Sequence, residues 1–510
     1  MESKITLPRF PWPESPLLIR ARALLLQAGI PIFLVGGAVR DALLDRSTHD
    51  YDFAVDGPAM GLARKMANAL GGAYVPLDEE RDTARAVVRD EAGQRLYLDF
   101  ARLRGPDIQA DLTGRDFTIN AIAVDLRTGQ LLDPLDGQAD LARKLVRATT
   151  PHAFQEDPVR LLRAVRMVAD LGFELEPATA RQARQDAALL ARSSAERVRD
   201  ELVRILDAPG SPHHLALMDR LGMLSIVLPE IALLRGEPQT SPHHWDVWEH
   251  TLYALGALER LLQPLGVAET TLWPEAAPPV PEEIWQEVEE KLAPLAPHLQ
   301  AHLTQETGGE ERTRLLLLKL GTLFHDVGKP ATASMDDQGR IHFYGHDAIG
   351  AEMAAGRLQL LRFNRREVQE VERMVAHHMR PAYLARSGRP SRRAVYRYFR
   401  ALGPAGVEVA LLALADHLAI WGPDLIPERW GRLLEVAEQL LTRWFQDHEQ
   451  IHPPRLISGR DLIETLGVPP GPQVGRILEA VREAQATGEV HSREEALALA
   501  ARLLKGRRST

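Results

Sequence analysis

Asp50 and Asp52 stand two residues apart in the segment THDYDF, and Asp99 occupies a similar alternation in RLYLDFA. On a strand, side chains two apart leave from one face, so Asp50 and Asp52 project together. Asp99, on the same kind of strand, can complete an all-oxygen site of the type magnesium takes. Three carboxylates gathered this way repel one another unless cations neutralise them. Two magnesium ions would align an attacking hydroxyl with a leaving pyrophosphate for in-line displacement. Just upstream, Gly36 and Gly37 let the backbone approach a ligand and expose N–H groups beside a helix start, which suits phosphate. Arg40, one turn further on, can fork onto a phosphate oxygen.

A second set of residues suits a different metal. His250, His325-Asp326 in LFHDVGKP, His346 in GHDAIGAE, His377-His378 in VAHHMRP and Asp416 in LALADHLA mix imidazole nitrogen with carboxylate oxygen. That mixture favours Mn, Fe, Co, Ni or Zn over magnesium. A metal held there would acidify a water for attack on a phosphoester, and Lys329 could steady a phosphate oxygen.

These residues need elements to position them. Ile32–Val35 reads as a strand, Gly36-Gly37 as a turn and Ala38–Leu44 as a short helix. Around Asp50 and Asp52, the residues Tyr51, Phe53 and Val55 form an opposite apolar face. Around Asp99, Leu96, Leu98 and Phe100 do the same. From about 149 to 235 the pattern is helical, with breaks at Pro177, Pro209-Gly210 and Pro229. A third helical region, about 240–430, carries most of the histidines. It is interrupted at 264–311 by a Pro-, Glu- and Thr-rich stretch that reads as an insertion or linker. In 431–510 a Gly/Pro turn at Gly467–Gly475 precedes a helix at Arg476–Ala486, and a capping box at Ser492 with Glu495 opens a last helix. The end, Lys505-Gly506-Arg507-Arg508, is basic.

Length and composition bound the rest. At 510 residues the chain exceeds what one hydrophobic core supports. A content of 45% hydrophobic and 26% charged residues is that of an ordinary globular chain. The net charge of −9 requires any nucleic-acid partner to be held by a local basic surface. No run of about 18 apolar residues occurs, so no membrane span is expected. The polar N-terminal stretch lacks the apolar core of a signal peptide. With no cysteine, disulfides, thiolate zinc sites and cysteine nucleophiles are excluded, and a cytoplasmic location is expected.

The segment 36–53, GGAVRDALLDRSTHDYDF, resembles the signature of nucleotidyltransferases with a polymerase-β-like head. Gly114–Ala121, GRDFTINA, resembles the RRDFTINA block of class II tRNA nucleotidyltransferases and bacterial poly(A) polymerases. Glu156–Arg163, EDPVRLLR, is similar to their EDxxRxxR block. The order H…HD…D resembles the HD phosphohydrolases, and 458–500 looks like the C-terminal segment of HD-bearing members of the same family. The resemblance implies an α+β fold, in which a small polymerase-β-like head of mixed sheet and helices precedes a mostly α-helical body containing an HD domain. The expected parts are an N-terminal helix (1–30), which the resemblance does not cover, the head (31–148), a helical neck and body for nucleotide selection and tRNA binding (149–238), the HD domain (239–430, with an insert at about 264–311) and a C-terminal tRNA-binding tail (431–510).

The resemblance also implies that Asp50, Asp52 and Asp99 are catalytic, with magnesium at Asp50 and Asp52. It implies that Gly36, Gly37, Arg40, Arg115, Asp116, Asn120, Asp157, Arg160, Arg163 and Arg166 bind the incoming nucleotide. It makes His250, His325, Asp326 and Asp416 the core HD ligands. His346 and one of His377 or His378 could hold a second metal, and His378 fits the usual position better. The implied partners are tRNA, CTP and ATP. Asp157 and Arg160, three apart on a predicted helix, share a face. One accepts and the other donates, which matches the edges of cytosine and adenine but not of uracil or guanine. Two departures stand out. Gly114 replaces a second Arg, and the stretch between Asp99 and Arg115 is short, as in the CC-adding branch. The expected function is therefore untemplated addition of C and A to a tRNA 3′ end. The alternatives are a CC-adding enzyme, a poly(A) polymerase, or an enzyme whose main activity is HD phosphohydrolysis.

Overall fold

The computed structural model describes residues 15–267, 280–308, 312–421, 424–447 and 451–505. They form two compact units. One runs to Ser193 and includes Leu221–Met223; the other holds Ser194–Arg220 and everything from Leu224 onward. Among the described residues no single helix is long and apolar enough to cross a membrane.

The first unit is built on a seven-stranded sheet. Its strands are β1 (Ile32–Val35), β2 (Asp50–Val55), β3 (Ala73–Asp78), β4 (Thr83–Arg89), β5 (Arg95–Arg102), β6 (Ala123–Asp125) and β7 (Leu131–Leu132). They lie in the order β3-β4-β5-β2-β1-β6-β7, and only β2 and β5 pair in parallel. The alternation read from the sequence explains that pairing. Phe53 and Phe100 face each other in register on the apolar side and stack at 5.0 Å between ring centroids. The helix Ala59–Leu70 packs on β4 and β5 through a stripe of Ala59, Leu62, Ala63, Met66 and Ala67. Its start is fixed from outside, because the Asp82 carboxylate accepts from the N–H groups of Ala59 and Met60 at 2.9 and 2.8 Å.

The second unit is almost wholly helical. Its centre is the helix Ala405–Trp421, whose residues from Ala405 to Ala415 are all buried. Of the two readings of 264–311, insertion or linker, the described helices bear only on the second. The helices Glu282–Leu292 and Ala296–Leu303 bury Val288, Leu292, Leu299 and Leu303 in the body. Trp430 donates its indole N–H to Glu287 at 3.0 Å, and His302 lies 3.0 Å from the buried Glu408. The apolar positions recur at helical spacing, and the flanking Pro and Glu residues disguised it. Residues 268–279 and 309–311 of that stretch lie outside the described residues.

The tail forms three helices, Gly459–Leu466, Pro472–Thr487 and Arg493–Lys505, around an apolar cluster of its own that includes Leu462, Val481 and Ala496. The middle helix starts at Pro472 instead of Arg476, because proline's fixed φ suits the first helical position. Ser492 accepts from the Glu495 N–H at 3.2 Å, while the Glu495 carboxylate reaches the N–H of His491. The expected box is thus half formed, one residue out of step. Gly506, Arg507 and Arg508 lie outside the described residues.

Candidate functional site

The parallel register of β2 and β5 sets Asp52 opposite Asp99 and Asp50 opposite Tyr97. Asp50, Asp52 and Asp99 therefore occupy one face, as the alternation requires. Burial pushes the Asp52 carboxyl up to about 6; Asp99 and Asp50 add to the rise, and Arg115 and Arg85 oppose it. Such an oxygen-only set is of the type that suits a hard divalent cation.

Two features bring cations to this face. Gly36, at φ +73°, ends β1 beside Asp52. A Cβ there would lie 3.1 Å from Asp52 Oδ2 and 3.2 Å from Arg115 Nη1, so the glycine is needed both for its backbone and for the close approach. Gly37 has no such role, since its Cβ would meet only the end of Arg40 at 3.6 Å. The second feature was not anticipated from the sequence. Arg85, the cross-strand partner of Asp99, forks onto it with Nε–Oδ1 at 2.7 Å and Nη2–Oδ2 at 2.8 Å. Its signal was present, because Ala84, Ala86 and Val88 alternate inward and leave Arg85 on the carboxylate face.

Behind the carboxylates a polar chain links the sequence motifs. Arg40 donates to Asn120 Oδ1 at 2.8 Å, Asn120 donates to Asp116 Oδ1 at 3.1 Å, and Arg163 donates to Asp116 Oδ2 at 3.2 Å. Burial would raise Asp116, but Arg163, Asn120 and the Phe117 N–H outweigh it and hold the carboxyl below its usual range. Arg115 donates to Asp111 at 3.0 Å. Arg166 lies 3.7 Å from Asp170.

The expected helical face of Asp157 and Arg160 is not formed. Asp157 is extended (φ −145°, ψ 97°) between the helices Ala153–Glu156 and Arg160–Leu171. Pro158 is the physical reason, because the residue before a proline is disfavoured in the helical region. Arg160 is buried and directs its guanidinium to Gly114 O at 2.8 Å, Ala153 O at 3.3 Å and Glu156 at 3.3 Å. Gly114, where a second Arg was expected, thus contributes its carbonyl. The short stretch after Asp99 is also tied down. The Asp107 side chain caps the helix Ile108–Thr113, and buried Asp111 accepts from the Arg104 N–H at 3.0 Å.

In the second unit the histidines converge. His250, His325 and Asp326 form one group, and Asp326, His346 and His378 a second; within each, the ligand atoms lie within 4.8 Å of one another. Asp416 Oδ1 is 3.0 Å from His250 Nε2. His378, not His377, joins the cluster, with its Nε2 3.4 Å from that of His346. His325, His346 and His378 each place Nδ1 at 2.7 to 2.8 Å from a backbone carbonyl, of Thr322, Phe343 and Val375. A carbonyl only accepts, so Nδ1 carries the proton and Nε2 faces inward, as in metal-binding histidines. Burial would lower His325, but Asp326 and Asp416 overcome it and raise the ring to about 10. The mixed nitrogen and oxygen donors therefore fit a transition metal. Gly328 permits this assembly, because a Cβ there would lie 2.2 Å from His346 O. Lys329 is held by Asp326 Oδ2 at 2.6 Å and Gln239 Oε1 at 2.6 Å.

The family model of the Poly A polymerase head domain matches residues 32–147, and that of the HD domain matches 287–421. Over 92% of its length the chain is 37% identical to the A-adding tRNA nucleotidyltransferase of Deinococcus radiodurans, of which it covers 94%. The chain belongs to the class II tRNA nucleotidyltransferases that carry an HD domain. Another tRNA nucleotidyltransferase, the CC-adding one of Thermus thermophilus, is 35% identical over 91% of this chain and 92% of its own length. The solved complex of a CCA-adding enzyme with ATP shares the fold, with a TM-score of 0.60 and 21% identity over 96% of this chain and 95% of that one.

Proposed function

We propose that the chain extends tRNA 3′ ends with C and A from CTP and ATP, without a nucleic-acid template. The observation that carries this reading is the register that sets Asp52 opposite Asp99 beside Gly36 and Arg115. The terminal 3′-oxygen attacks the α-phosphorus, the bond to the β-phosphate breaks, and pyrophosphate leaves. Magnesium bound by Asp50, Asp52 and Asp99 would supply the charge that this displacement needs. Arg115, Arg40 and Arg163, ordered by Asp111, Asn120 and Asp116, would hold the phosphates and ribose. Gly36 would admit the nucleotide to the backbone, and Arg166 would add a further cation. For Asp157 and Arg160 to read a base edge, Arg160 must exchange its bonds to Gly114 and Glu156 for the base. The segments 149–238 and 431–510 would bind tRNA. At the HD cluster His250, His325, Asp326 and Asp416 would hold one metal, and His346 and His378 a second. The reaction takes place in the cytoplasm on this reading. An Asp50→Ala/Asp52→Ala variant should transfer neither nucleotide; retained transfer would contradict the reading.

A second reading, addition of CC only, is favoured by the short, capped segment between Asp99 and Arg115 and by the name of the Thermus relative.

A further inference from the structure

The segment 373–407 carries eight arginines and no aspartate or glutamate, the longest acid-free stretch of a chain whose net charge is −9. It runs from the end of the helix Arg365–His377 through Arg380–Arg386 to Arg392–Leu402. Its counter-charges must therefore come from outside it. For three of the arginines they come from the tail. Arg393 meets Glu483 at 3.0 Å and Glu489 at 2.9 Å, and Arg397 forks onto Glu483 at 2.8 and 2.9 Å. Arg400 meets Glu479 at 2.7 Å, and Tyr396 donates its hydroxyl to the same carboxylate at 2.9 Å. Arg393, Arg397 and Arg400, four and three residues apart, share one face of their helix. Glu479 and Glu483 share a face of the tail helix Pro472–Thr487, and Glu489 follows its end.

The tail has a core of its own. Among the described residues, its apolar cluster draws only on 456–504. Toward the helix Arg392–Leu402 it presents carboxylates. The side chains of Arg397 and Arg400 remain 61% and 58% exposed, so these ion pairs are screened by water and individually weak. A carboxylate and a phosphate offer the same pair of oxygens to a guanidinium fork. The tail glutamates thus stand where the phosphates of a polyanion would stand.

We propose that Arg393, Arg397 and Arg400 form a binding face for an RNA backbone, which Glu479, Glu483 and Glu489 of the tail cover in the RNA-free chain and which phosphates uncover by exchange. This rests on the reading of the chain as a tRNA-extending enzyme, which makes tRNA the polyanion at hand. Each carboxylate leaves its guanidinium as a phosphate takes its place, so the arginines stay paired throughout.

The two sides of the seam carry opposite signs. The test uses the full chain and a fluorescein-labelled tRNA transcript ending in a 3′-phosphate, which cannot be extended, with affinity read by fluorescence anisotropy. Glu479→Gln/Glu483→Gln/Glu489→Gln uncovers the arginines and should bind on the order of tenfold tighter. Arg393→Gln/Arg397→Gln/Arg400→Gln removes the same ion pairs from the other side and should bind on the order of tenfold more weakly. The variant carrying all six changes should match the arginine variant. Glu283→Gln/Glu289→Gln/Glu290→Gln, at exposed positions of the helix Glu282–Leu292, removes the same charge away from the seam and should change the affinity much less. If the seam only fixes the tail, both sets of substitutions break it and both weaken binding, which would overturn the proposal. Equal tightening in the charge-matched control would overturn it too. Misfolding cannot produce a gain in affinity, so the glutamate variant is decisive even where the arginine variant is unstable. Extension of an unblocked tRNA by the wild type tests the transfer reading separately. Extension without the opposite signs would overturn the covered face alone, whereas absence of both extension and tRNA binding would overturn both.

Discussion

Arg85 holds both oxygens of Asp99, so the third carboxylate is oriented before any metal or RNA arrives. Lys cannot form that fork. Arg85→Lys and Arg85→Ala are therefore both expected to slow single-turnover CMP transfer, on the order of ten- to a hundredfold, with nucleotide affinity retained. A wild-type rate in Arg85→Ala would remove Arg85 from the site. Asp52 gives a second expectation, about stability. Its folded carboxyl is raised to about 6, above the usual value of about 3.9, so its ionised form is disfavoured by folding. The neutral form's contribution is fully present at low pH and is lost as pH rises toward about 6. Asp52→Asn should accordingly raise the melting temperature of the metal-free protein at pH 8 while abolishing transfer; a lower melting temperature would contradict this. At this scale the sequence was legible where chemistry followed from strand alternation, as for Asp50, Asp52 and Asp99. For Arg85 the alternation of its strand gave the face, but its pairing with Asp99 depends on how β4 registers against β5, which that alternation does not state.

Elements decide which of these residues meet. Among the candidate HD ligands, His325 and His378 lie just past the last turns of Arg314–Phe324 and Arg365–His377 and His346 opens His346–Leu360, whereas Asp416 lies within Ala405–Trp421. Their convergence was legible as a motif, but the close approach at Gly328 was not. Gly328→Ala puts a methyl carbon against His346 O, so bound Mn or Ni per chain, read by elemental analysis, should fall well below that of the wild type. Undiminished metal would show that the backbone yields there. One element and one alternative differ from the sequence reading for identifiable reasons. Pro158 takes Asp157 out of the helix that Arg160 begins, and the apolar positions of 282–303 were hidden among Pro and Glu. Leu299 in the latter is fully buried, so Leu299→Ala should cost about 2–5 kcal/mol in denaturant unfolding. A cost near zero would restore the linker reading.

On the scale of the whole molecule, the charge of −9 sets how tRNA can be bound. Attraction must come from local arginine-rich surface against an unfavourable net field, so tRNA affinity should fall steeply and log-linearly with salt concentration. Affinity independent of salt would contradict that. Membership in the family was legible from three short blocks, whereas the division into two units, with a boundary at Ser193, was not. Composition is similar on both sides of that boundary, and only the packing shows it. The product is also a property of the whole molecule and is read most directly by extending one tRNA prepared in three forms: ending at the discriminator base, at C and at CC. With CTP, ATP and magnesium, all three should grow to CCA. Arrest at CC, with no A added to the CC form, would assign the chain to the CC-adding reading. No extension of any form would contradict the transfer reaction at Asp50, Asp52 and Asp99.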